Sequence, residues 1–342
     1  MIKFVQYGVG KMSKYTMEFA INDGMKLVGA VDINPSVIGT KVNGVRVVSP
    51  DKFEGLLKAK KPDIVIVTTK SLLSDLSDVL LTCARNGVNA ITTCEEAFYP
   101  KVSNPKLTNK IDQVAKQNNC TITGTGYQDA YWGNLVTTIC GSTNSITKIK
   151  GSSSYNVEDY GIALAEVHGA GMTLSEFDKK IAANDRISDE ARKKIINSGN
   201  YTPSYMWNVV PWIAEKLGLH LVGQMKQKCI PQTCKHNIKS STLNMTIKAG
   251  NATGMSAVVT GMTKEGIEIE AECIGKVYDK DEFDKNEWTI YGEPDTTLVI
   301  NKPDTVRLTC ATIVNRIPDV IKSEPGFVPT SRMGELKYIH KK

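Results

Sequence analysis

The chain has 342 residues, of which 41% are hydrophobic and 23% are charged, and this composition excludes an intrinsically disordered protein. Its formal net charge of +6 arises from 42 basic and 36 acidic residues spread along the chain, without the concentrated basic stripe that nucleic-acid binding predicts. No apolar run approaches the roughly 18 residues of a membrane-spanning helix and the first apolar stretch is too short for a signal peptide, so we expect a cytoplasmic protein.

The first third of the chain alternates short β-rich runs with amphipathic helices, a pattern typical of a parallel sheet with crossover helices. Helix ends are marked by Ser49-Pro50, by Asn86-Gly87 and by Asn104-Pro105. We predict strands at residues 2–7, 26–31, 63–68, 90–93 and 121–124.

The first predicted strand runs into a turn of sequence G-x-G-x-x-S that begins at Gly8. In such a strand–turn–helix unit the first glycine permits the tight turn, the second lets a pyrophosphate approach the backbone, and the helix N-terminus offers free amides. Ser13 occupies the third glycine position. We therefore assign Gly8, Gly10, Lys11 and Met12 to a dinucleotide cofactor.

Asp32 closes the second predicted strand, where a carboxylate would accept hydrogen bonds from the adenosine ribose. An acidic side chain there disfavours a 2′-phosphate, so we expect NAD, while Lys11 and Lys41 keep NADP open. Thr68 and Thr69, at the end of the next clear strand, lie where the nicotinamide ribose would bind, and helix capping would explain them equally well. Together these features predict a Rossmann NAD(P)-binding domain over residues 1–130.

Three residues after the strand at 90–93 can carry chemistry: Cys94, Glu95 and Glu96. Two adjacent carboxylates at the carboxyl end of a parallel strand would lie beside the nicotinamide and could transfer a proton. Alternatively, the pair simply opens a helix, where the helix dipole favours acidic side chains. We assign Cys94 to the cofactor and one of the two glutamates to acid–base catalysis.

The last predicted parallel strand is followed by a run rich in glycine and aromatic residues, residues 124–134. Glycines, an aspartate and aromatic rings at a domain junction suggest the wall of a cleft that moves on closure. A hinge packed for stability would have the same composition. Asp129, Tyr131 and Trp132 are our candidate substrate residues in this run.

After residue 130 the predicted strands become longer, and a helical insertion interrupts them at 174–196 and 204–216. This pattern predicts an α+β domain with a mainly antiparallel sheet over residues 131–304, which we expect to bind the substrate. A C-terminal helical segment, about 305–342 and helical to Lys322, is expected by analogy with other two-domain dehydrogenases to pack back on the first domain. The predicted strands of the second domain are 145–157, 242–248, 254–260, 267–277 and 296–300.

Two features of this second domain bear on ligands. His168 is a candidate substrate residue, although a lone histidine is more often a satisfied polar group. Cys229 and Cys234, with His236 close behind, suggest a metal, but a structural zinc site requires a second ligand pair at proper spacing. We therefore predict no metal site, and reduced thiols for the eight cysteines.

Four parts of the first domain together resemble the 2,4-diaminopentanoate dehydrogenases and the related amine dehydrogenases, which share the fold of dihydrodipicolinate reductase. These parts are residues 7–12, Asp32 with 34–35, residues 93–96 and residues 124–126. The family commonly continues with Asn-Pro-Gly-Phe, whereas residues 128–131 read Gln-Asp-Ala-Tyr here. This departure bears on the identity of the substrate more than on the type of reaction.

The resemblance implies NAD(P)-dependent oxidative deamination of an amine or diamino acid, reversible as reductive amination. Its most specific form is conversion of 2,4-diaminopentanoate to 2-amino-4-oxopentanoate and ammonia. The family's catalytic glutamate corresponds to Glu95 or Glu96, with a lean to Glu96 because sugar dehydrogenases place a lysine there. Asp129 would bind the second ammonium of a diamino acid, and related enzymes suggest a homodimer formed through the second domain.

Two other functions compete with this one. Another oxidoreductase of this architecture could reduce a C=N bond or oxidise a hydroxy acid, but such enzymes carry a lysine or histidine proton donor, and a pair of glutamates argues against them. A redox-sensing protein could bind NADH without chemistry, but such sensors carry an appended DNA-binding or partner-binding module. No segment of this sequence resembles such a module.

Overall fold

The computed structural model describes residues 1–339, and the chain divides into two compact units. The first unit contains residues 1–135, residues 195–202 and the segment that begins at Asp304. The second contains residues 136–194 and 203–303. The division predicted from the sequence differs from this one mainly in residues 195–202, which return to the first unit.

The first unit is built on an eight-stranded sheet in the order β16-β7-β6-β5-β1-β2-β4-β3. Its strands are β1 (Lys3–Tyr7), β2 (Lys26–Val31), β3 (Lys41–Val42), β4 (Val45–Val48), β5 (Ile64–Val67), β6 (Asn89–Thr92), β7 (Thr121–Gly124) and β16 (Gly326–Phe327). Its helices are α1 (Lys11–Asn22), α2 (Phe53–Lys60), α3 (Leu73–Arg85), α4 (Pro105–Gln117) and α10 (Thr305–Lys322). All strand pairs are parallel except the short β3–β4 hairpin.

The strand order of this sheet reverses between β1 and β5. From β1 the chain proceeds through β2 in one direction, and from β5 through β6 and β7 in the other. Such a switch point leaves a crevice outside the carboxyl ends of the two strands, where open α/β sheets bind their ligands. Both faces of the sheet are covered, and the four residues of β5 are fully buried, as expected for a central parallel strand.

The second unit is built on a six-stranded sheet in the order β15-β14-β8-β13-β12-β9. Its strands are β8 (Ser145–Asn156), β9 (Leu221–Thr233), β12 (Ala252–Thr263), β13 (Glu268–Lys276), β14 (Lys285–Glu293) and β15 (Thr296–Asn301), and β10 (Ile238–Ser240) pairs with β11 (Met245–Ile247) in a separate hairpin. Four of the five strand pairs in the sheet are antiparallel, and only β8 and β13 run parallel. The predicted fold class, a Rossmann domain followed by an α+β domain with a mainly antiparallel sheet, is therefore confirmed.

The remaining helices are α5 (Leu135–Cys140), α6 (Ile162–Val167), α7 (Leu174–Lys180), α8 (Asp189–Ser198) and α9 (Tyr205–Lys216). The helical insertion predicted at 174–196 consists of α7 and α8, with a short 3-10 helix between them. The helix predicted from 305 to Lys322 corresponds to α10, and the C-terminal segment predicted beyond it contains the short strand β16 instead of further helix. Residues 340–342 of that segment lie outside the described residues.

None of the helices described between residues 1 and 339 combines the length and the apolar character that crossing a bilayer requires.

Candidate active site

The glycine turn after β1 lies at the switch point, against the residues that follow β5. Gly8 adopts a positive φ of 90°, and a Cβ there would lie 2.5 Å from Cγ2 of Thr69 and 3.0 Å from the carbonyl oxygen of Thr68. Only glycine fits this backbone and this space. The predicted cofactor residues Gly8, Thr68 and Thr69 are thus brought together.

Gly10, immediately before the first residue of α1, lies in open space, whereas Gly8 is closely packed. Apart from the two neighbouring residues, no heavy atom lies within 4 Å of the position that a Cβ would take. The N-cap residue Gly10 has no side chain to cap α1, and uncapped amides at a helix N-terminus are suited to bind a pyrophosphate. Lys11 is exposed and Met12 half-buried in this first turn.

Ser13 explains why the third glycine of the motif is dispensable. Its side chain is fully buried, and its hydroxyl donates a hydrogen bond of 2.8 Å to the carbonyl oxygen of Gly10. A small side chain fits between helix and strand here, and it also ties the first turn of α1 to the loop.

A buried hydrogen-bond network around Gln6 supports the glycine turn. The sequence analysis did not predict it. The Gln6 amide donates to the carbonyl of Gly8 at 3.1 Å and to Oγ1 of Thr68 at 2.9 Å. Its oxygen accepts from Oγ1 of Thr16 at 2.8 Å. The signal was available, because Gln6 is a polar residue inside an otherwise apolar buried strand, and buried amides require partners.

Asp32 follows β2 and is bonded to the glycine turn. One carboxylate oxygen accepts the Val9 amide at 2.6 Å, and the other accepts the Asn34 amide at 2.7 Å. The side chain is half-buried. Since each carboxylate oxygen has a second lone pair, Asp32 can hold the turn and still accept hydrogen bonds from a ribose.

The two glutamates after β6 occupy different environments. Glu96 is 3% exposed, and its carboxylate accepts the amide of Leu73, the first residue of α3, and the hydroxyl of Ser103, both at 2.7 Å. Burial raises the pKa of Glu96, although both hydrogen bonds act in the opposite direction. Glu96 therefore caps α3 from within the protein.

Glu95 is half-buried at the carboxyl end of β6, whose neighbour β5 adjoins β1 and the glycine turn. Burial raises the pKa of Glu95, and a hydrogen bond with Ser71 partly opposes the rise. A partly exposed carboxyl group with a raised pKa at a ligand-binding edge has the properties of an acid–base group. The sequence left the choice between the two glutamates open and favoured Glu96, whereas these environments make Glu95 the stronger candidate.

Cys94 does not present its side chain to this edge. It is fully buried, and its thiol donates to the carbonyl oxygen of Ser71 at 3.1 Å. Burial raises the pKa of the Cys94 thiol well above its ordinary value. The predicted cofactor role of Cys94 can therefore involve its backbone but not its side chain.

The predicted substrate role of Asp129 is corrected by the structure. The Asp129 and Arg316 side chains are both 0% exposed and form an ion pair, with Nε of Arg316 2.7 Å from Oδ2. The same carboxylate also accepts the Thr125 hydroxyl and the Asn134 amide, each at 2.8 Å. A bound ammonium group cannot reach a carboxylate that is buried and already paired.

Tyr131 and Trp132 lie in the same turn of chain, which is a π-helix over Gln128–Asn134. The Tyr131 ring stacks on that of Tyr127 with a centroid distance of 4.4 Å, and Trp132 meets Tyr127 edge-on at 5.7 Å. π-Helical turns are rare and concentrate at functional sites. Tyr131 is half-buried, so it remains accessible in part.

His168, the candidate in the second unit, is buried against Tyr155. Its Nδ1 lies 2.8 Å from the carbonyl oxygen of Leu164, and its Nε2 lies 2.6 Å from the Tyr155 hydroxyl. Because a carbonyl can only accept, Nδ1 carries the proton and Nε2 accepts from Tyr155. Burial lowers the pKa of His168, which favours the neutral ring that this arrangement requires.

Comparison with known proteins connects this geometry to two groups of relatives. A family model described as the 2,4-diaminopentanoate dehydrogenase C-terminal domain matches residues 132–340. The 2,4-diaminopentanoate dehydrogenase of Acetoanaerobium sticklandii is 22% identical over 98% of this chain and 96% of its own. The redox-sensing transcriptional repressor Rex of Staphylococcus aureus is 34% identical, but over 26% of this chain and 43% of the repressor.

Among solved structures, the amine dehydrogenase from Mycobacterium smegmatis is 32% identical to this chain. The match has a TM-score of 0.83 and covers 98% of this chain and 97% of that one. The similarity to amine dehydrogenases therefore extends over both units, whereas the similarity to the repressor covers about a quarter of the chain. The resemblance noted in the sequence is confirmed.

Proposed function

Because the chain belongs to the 2,4-diaminopentanoate dehydrogenase family, we propose that it deaminates an amine or diamino acid oxidatively with a nicotinamide cofactor. The single observation that carries this proposal is the half-buried Glu95, with a raised pKa, at the carboxyl end of β6 near the switch point. Within this class, 2,4-diaminopentanoate is the first substrate to test, with 2-amino-4-oxopentanoate and ammonia as its products.

The proposed cofactor is NAD, held at the switch point. The open space at Gly10 and the uncapped amides of α1 would accept the pyrophosphate, and Asp32 would accept the ribose hydroxyls. The Asp32 carboxylate would repel a 2′-phosphate, so NADP is expected to bind more weakly. Thr68, whose hydroxyl already bonds to the turn, would contact the nicotinamide half.

When bound, the nicotinamide ring accepts a hydride from the amine-bearing carbon, which leaves a substrate iminium ion. In our proposal the Glu95 carboxylate takes a proton from the substrate ammonium, because only the neutral amine can release a hydride, and then passes this proton to solvent. The regenerated carboxylate stabilises the iminium ion by its negative charge and takes a proton from the water that attacks the iminium carbon. It returns this proton to the nitrogen as the carbon–nitrogen bond of the carbinolamine breaks, and the hydroxyl proton leaves to solvent, so that ammonia and the carbonyl product are released. A raised pKa brings the carboxyl closer to the operating pH, where proton transfer is most effective.

Substrate recognition is proposed for Tyr131 and Trp132. Asp129 and His168 are both withdrawn from this role, because each side chain is buried and already hydrogen-bonded within its own unit. We retain the homodimer as a proposal as well.

The experiment is a substrate panel with matched variants. The formation of NADH from NAD, or of NADPH from NADP, is measured with 2,4-diaminopentanoate, simple amines and homoserine. Amine turnover with NAD is expected, and Glu95→Gln is expected to lower kcat by about 10² to 10⁴-fold while leaving NAD affinity unchanged. Turnover of homoserine alone would overturn the deaminase proposal, and NADH binding without any turnover would favour a redox sensor.

A further inference from the structure

Three metal-ligating side chains converge at one end of the second unit's sheet. Cys234 follows directly after β9, His236 lies two residues later, and Asp279 lies in the loop after β13. One potential ligand atom from each residue lies within 4.8 Å of the other two. A thiol, an imidazole and a carboxylate thus face one another, although His236 and Asp279 are 43 positions apart in the chain.

The distances between these ligand atoms are close to those of a tetrahedral zinc site. Sγ of Cys234 lies 3.6 Å from Nε2 of His236 and 3.8 Å from Oδ2 of Asp279. Zinc bonds of about 2.3 Å to sulfur and about 2.0 to 2.2 Å to nitrogen or oxygen require ligand separations of roughly 3.4 to 3.6 Å. The third distance, 2.9 Å between Nε2 of His236 and Oδ2 of Asp279, is that of a direct contact between imidazole and carboxylate, which a metal would lengthen by about half an ångström.

The surrounding backbone holds the three side chains in place. The Lys280 amide donates to Oδ1 of Asp279 at 2.8 Å, which directs Oδ2 towards His236. The Gly250 amide donates to the carbonyl of Cys234 at 2.9 Å, and the Ala249 amide to Oδ1 of Asn237, also at 2.9 Å. The loop that carries Cys234 and His236 is therefore anchored on both sides.

We propose that Cys234, His236 and Asp279 form a zinc-binding site. The mixed donor set selects the metal, because Mg²⁺ and Ca²⁺ prefer oxygen ligands alone, whereas zinc accepts sulfur, nitrogen and oxygen together. Three protein ligands leave a fourth position for water. Cys229, which the sequence grouped with this cluster, takes no part, because its amide and thiol both bond to Asp185.

The prediction of no metal is thereby replaced for this cluster. It depended on the need for a second ligand pair at proper spacing along the chain, whereas Asp279 comes from the loop after β13, 43 positions beyond His236. In the sheet, β12 lies between β9 and β13. A metal held by the loops after β9 and β13 would therefore clip together two strand ends that do not pair directly. Because all three ligands meet only in the folded protein, such a metal would bind it more tightly than the unfolded chain and would raise its stability.

The test uses the full chain, stripped of metal with a chelator and titrated with Co²⁺, which reports thiolate ligation through its charge-transfer absorption. We expect a saturable band at one equivalent of cobalt and its loss in Cys234→Ser. Zinc affinity, measured by competition with a chromophoric chelator, is expected to fall at least tenfold in Cys234→Ser and in His236→Ala. Melting temperatures in chelator check that each variant folds.

Two variants serve as matched controls. His220 pairs with Glu265 at 2.8 Å without a thiol nearby, and Cys229 is a thiol outside the cluster, so His220→Ala and Cys229→Ser are expected to keep the cobalt band and the zinc affinity. The absence of a charge-transfer band in the wild type would overturn the proposal. So would a band that survives in Cys234→Ser.

Discussion

Glu95 and Glu96 are adjacent in sequence but have different environments because the backbone turns sharply between them. Glu95 precedes a 3-10 helix, Glu96–Phe98. This turn places the Glu96 carboxylate against the first residue of α3, whereas the Glu95 carboxylate stays at the edge of the sheet. Residue type and spacing alone predicted a carboxylate here, but they could not separate the two. The separating contact, from the Leu73 amide, comes from 23 residues earlier in the chain.

Glu96→Gln is expected to lower the free energy of unfolding by about 1 to 3 kcal/mol. A glutamine has one oxygen and one amino group, so either the Leu73 amide or the Ser103 hydroxyl loses its acceptor in the protein interior. The measurement is urea unfolding at neutral pH. Glu95→Gln is the matched control and should not be less stable than the wild type.

The raised pKa of Glu95 makes both rate and stability depend on pH. As the base for deamination, Glu95 must be ionised, so kcat/KM is expected to fall as pH decreases through the raised pKa. Because its pKa in the folded protein exceeds the unfolded value, its contribution to stability is fully present below the unfolded pKa and is lost as pH rises through the folded pKa. Glu95→Gln removes this loss and should be more stable than the wild type at alkaline pH.

Parallel pH profiles of kcat/KM and of the urea midpoint check this prediction. Ser103→Ala, which changes the partner of Glu96 and not that of Glu95, should leave the pH dependence of kcat/KM in place. An unchanged acidic limb of the rate profile in an active variant lacking the Glu95 carboxyl would assign the proton transfer to another group.

Asp129→Asn is expected to cost about 3 to 5 kcal/mol of stability, because it leaves the buried Arg316 charge without its main partner. Asp319→Asn provides the control. Asp319 also pairs with Arg316, at 3.0 Å, but its side chain is 32% exposed, so its loss should cost at most about 1 kcal/mol. Thermal unfolding of both variants measures the difference, and equal losses would contradict a structural role confined to Asp129.

At the scale of elements, the two glycines of the turn between β1 and α1 are expected to have different roles, Gly8 in folding and Gly10 in cofactor binding. Gly8→Ala would force a Cβ to 2.5 Å from Thr69 at a positive φ, so we expect a loss of roughly 1 to 3 kcal/mol in stability. Gly10 has an extended backbone and open space, so Gly10→Ala should fold normally but bind NAD much more weakly. Thermal unfolding and NAD titration distinguish the two, and unaltered NAD affinity in Gly10→Ala would place the pyrophosphate elsewhere.

The elements that the sequence revealed are those with strong local signals. All five predicted strands of the first unit are found within one residue at each end, because each is an apolar run bounded by turn residues. β9 was not predicted because it contains Gly223 and Pro231, which are uncommon in strands. The sheet accommodates them because β9 lies at its edge. β14 was not predicted because its first half reads Lys-Asn-Glu-Trp, in which a buried polar residue, Asn286, stands between two charged ones. Asn286 is buried because its side-chain oxygen accepts the indole N–H of Trp288.

In the candidate site, the sequence likewise predicted the residues that have local signals. Its glycine turn, Asp32 and the two glutamates follow strand ends, and the topology of a parallel sheet collects such residues at one edge. The role of Asp129 was not predictable, because Arg316 is 187 residues away in sequence and only the complete fold pairs them. His236 and Asp279, which are also far apart in sequence, are a second pair that no local sequence pattern predicts.

At the scale of the whole molecule, the first unit is assembled from both ends of the chain. α10 contributes four fully or almost fully buried side chains to the core that covers one face of the sheet, where Phe4, Ile64 and Ile66 also lie. The four residues are Ile313, Val314, Ile317 and Val320. The predicted Rossmann region, residues 1–130, therefore contains seven of the eight strands but lacks β16 and part of the core that stabilises the sheet.

A chain ending at Pro303 is accordingly expected to lose the folded first unit, even though β1 to β7 remain. Burying the four α10 side chains contributes roughly 6 to 12 kcal/mol, which is comparable to the entire stability of a typical domain, about 5 to 15 kcal/mol. Calorimetry with and without NAD measures the outcome, and the NAD-dependent rise in melting temperature should disappear. A chain ending at Ile339 keeps α10 and should retain that rise. An unchanged response to NAD in the shorter chain would show that the sheet and its first four helices form a self-sufficient core.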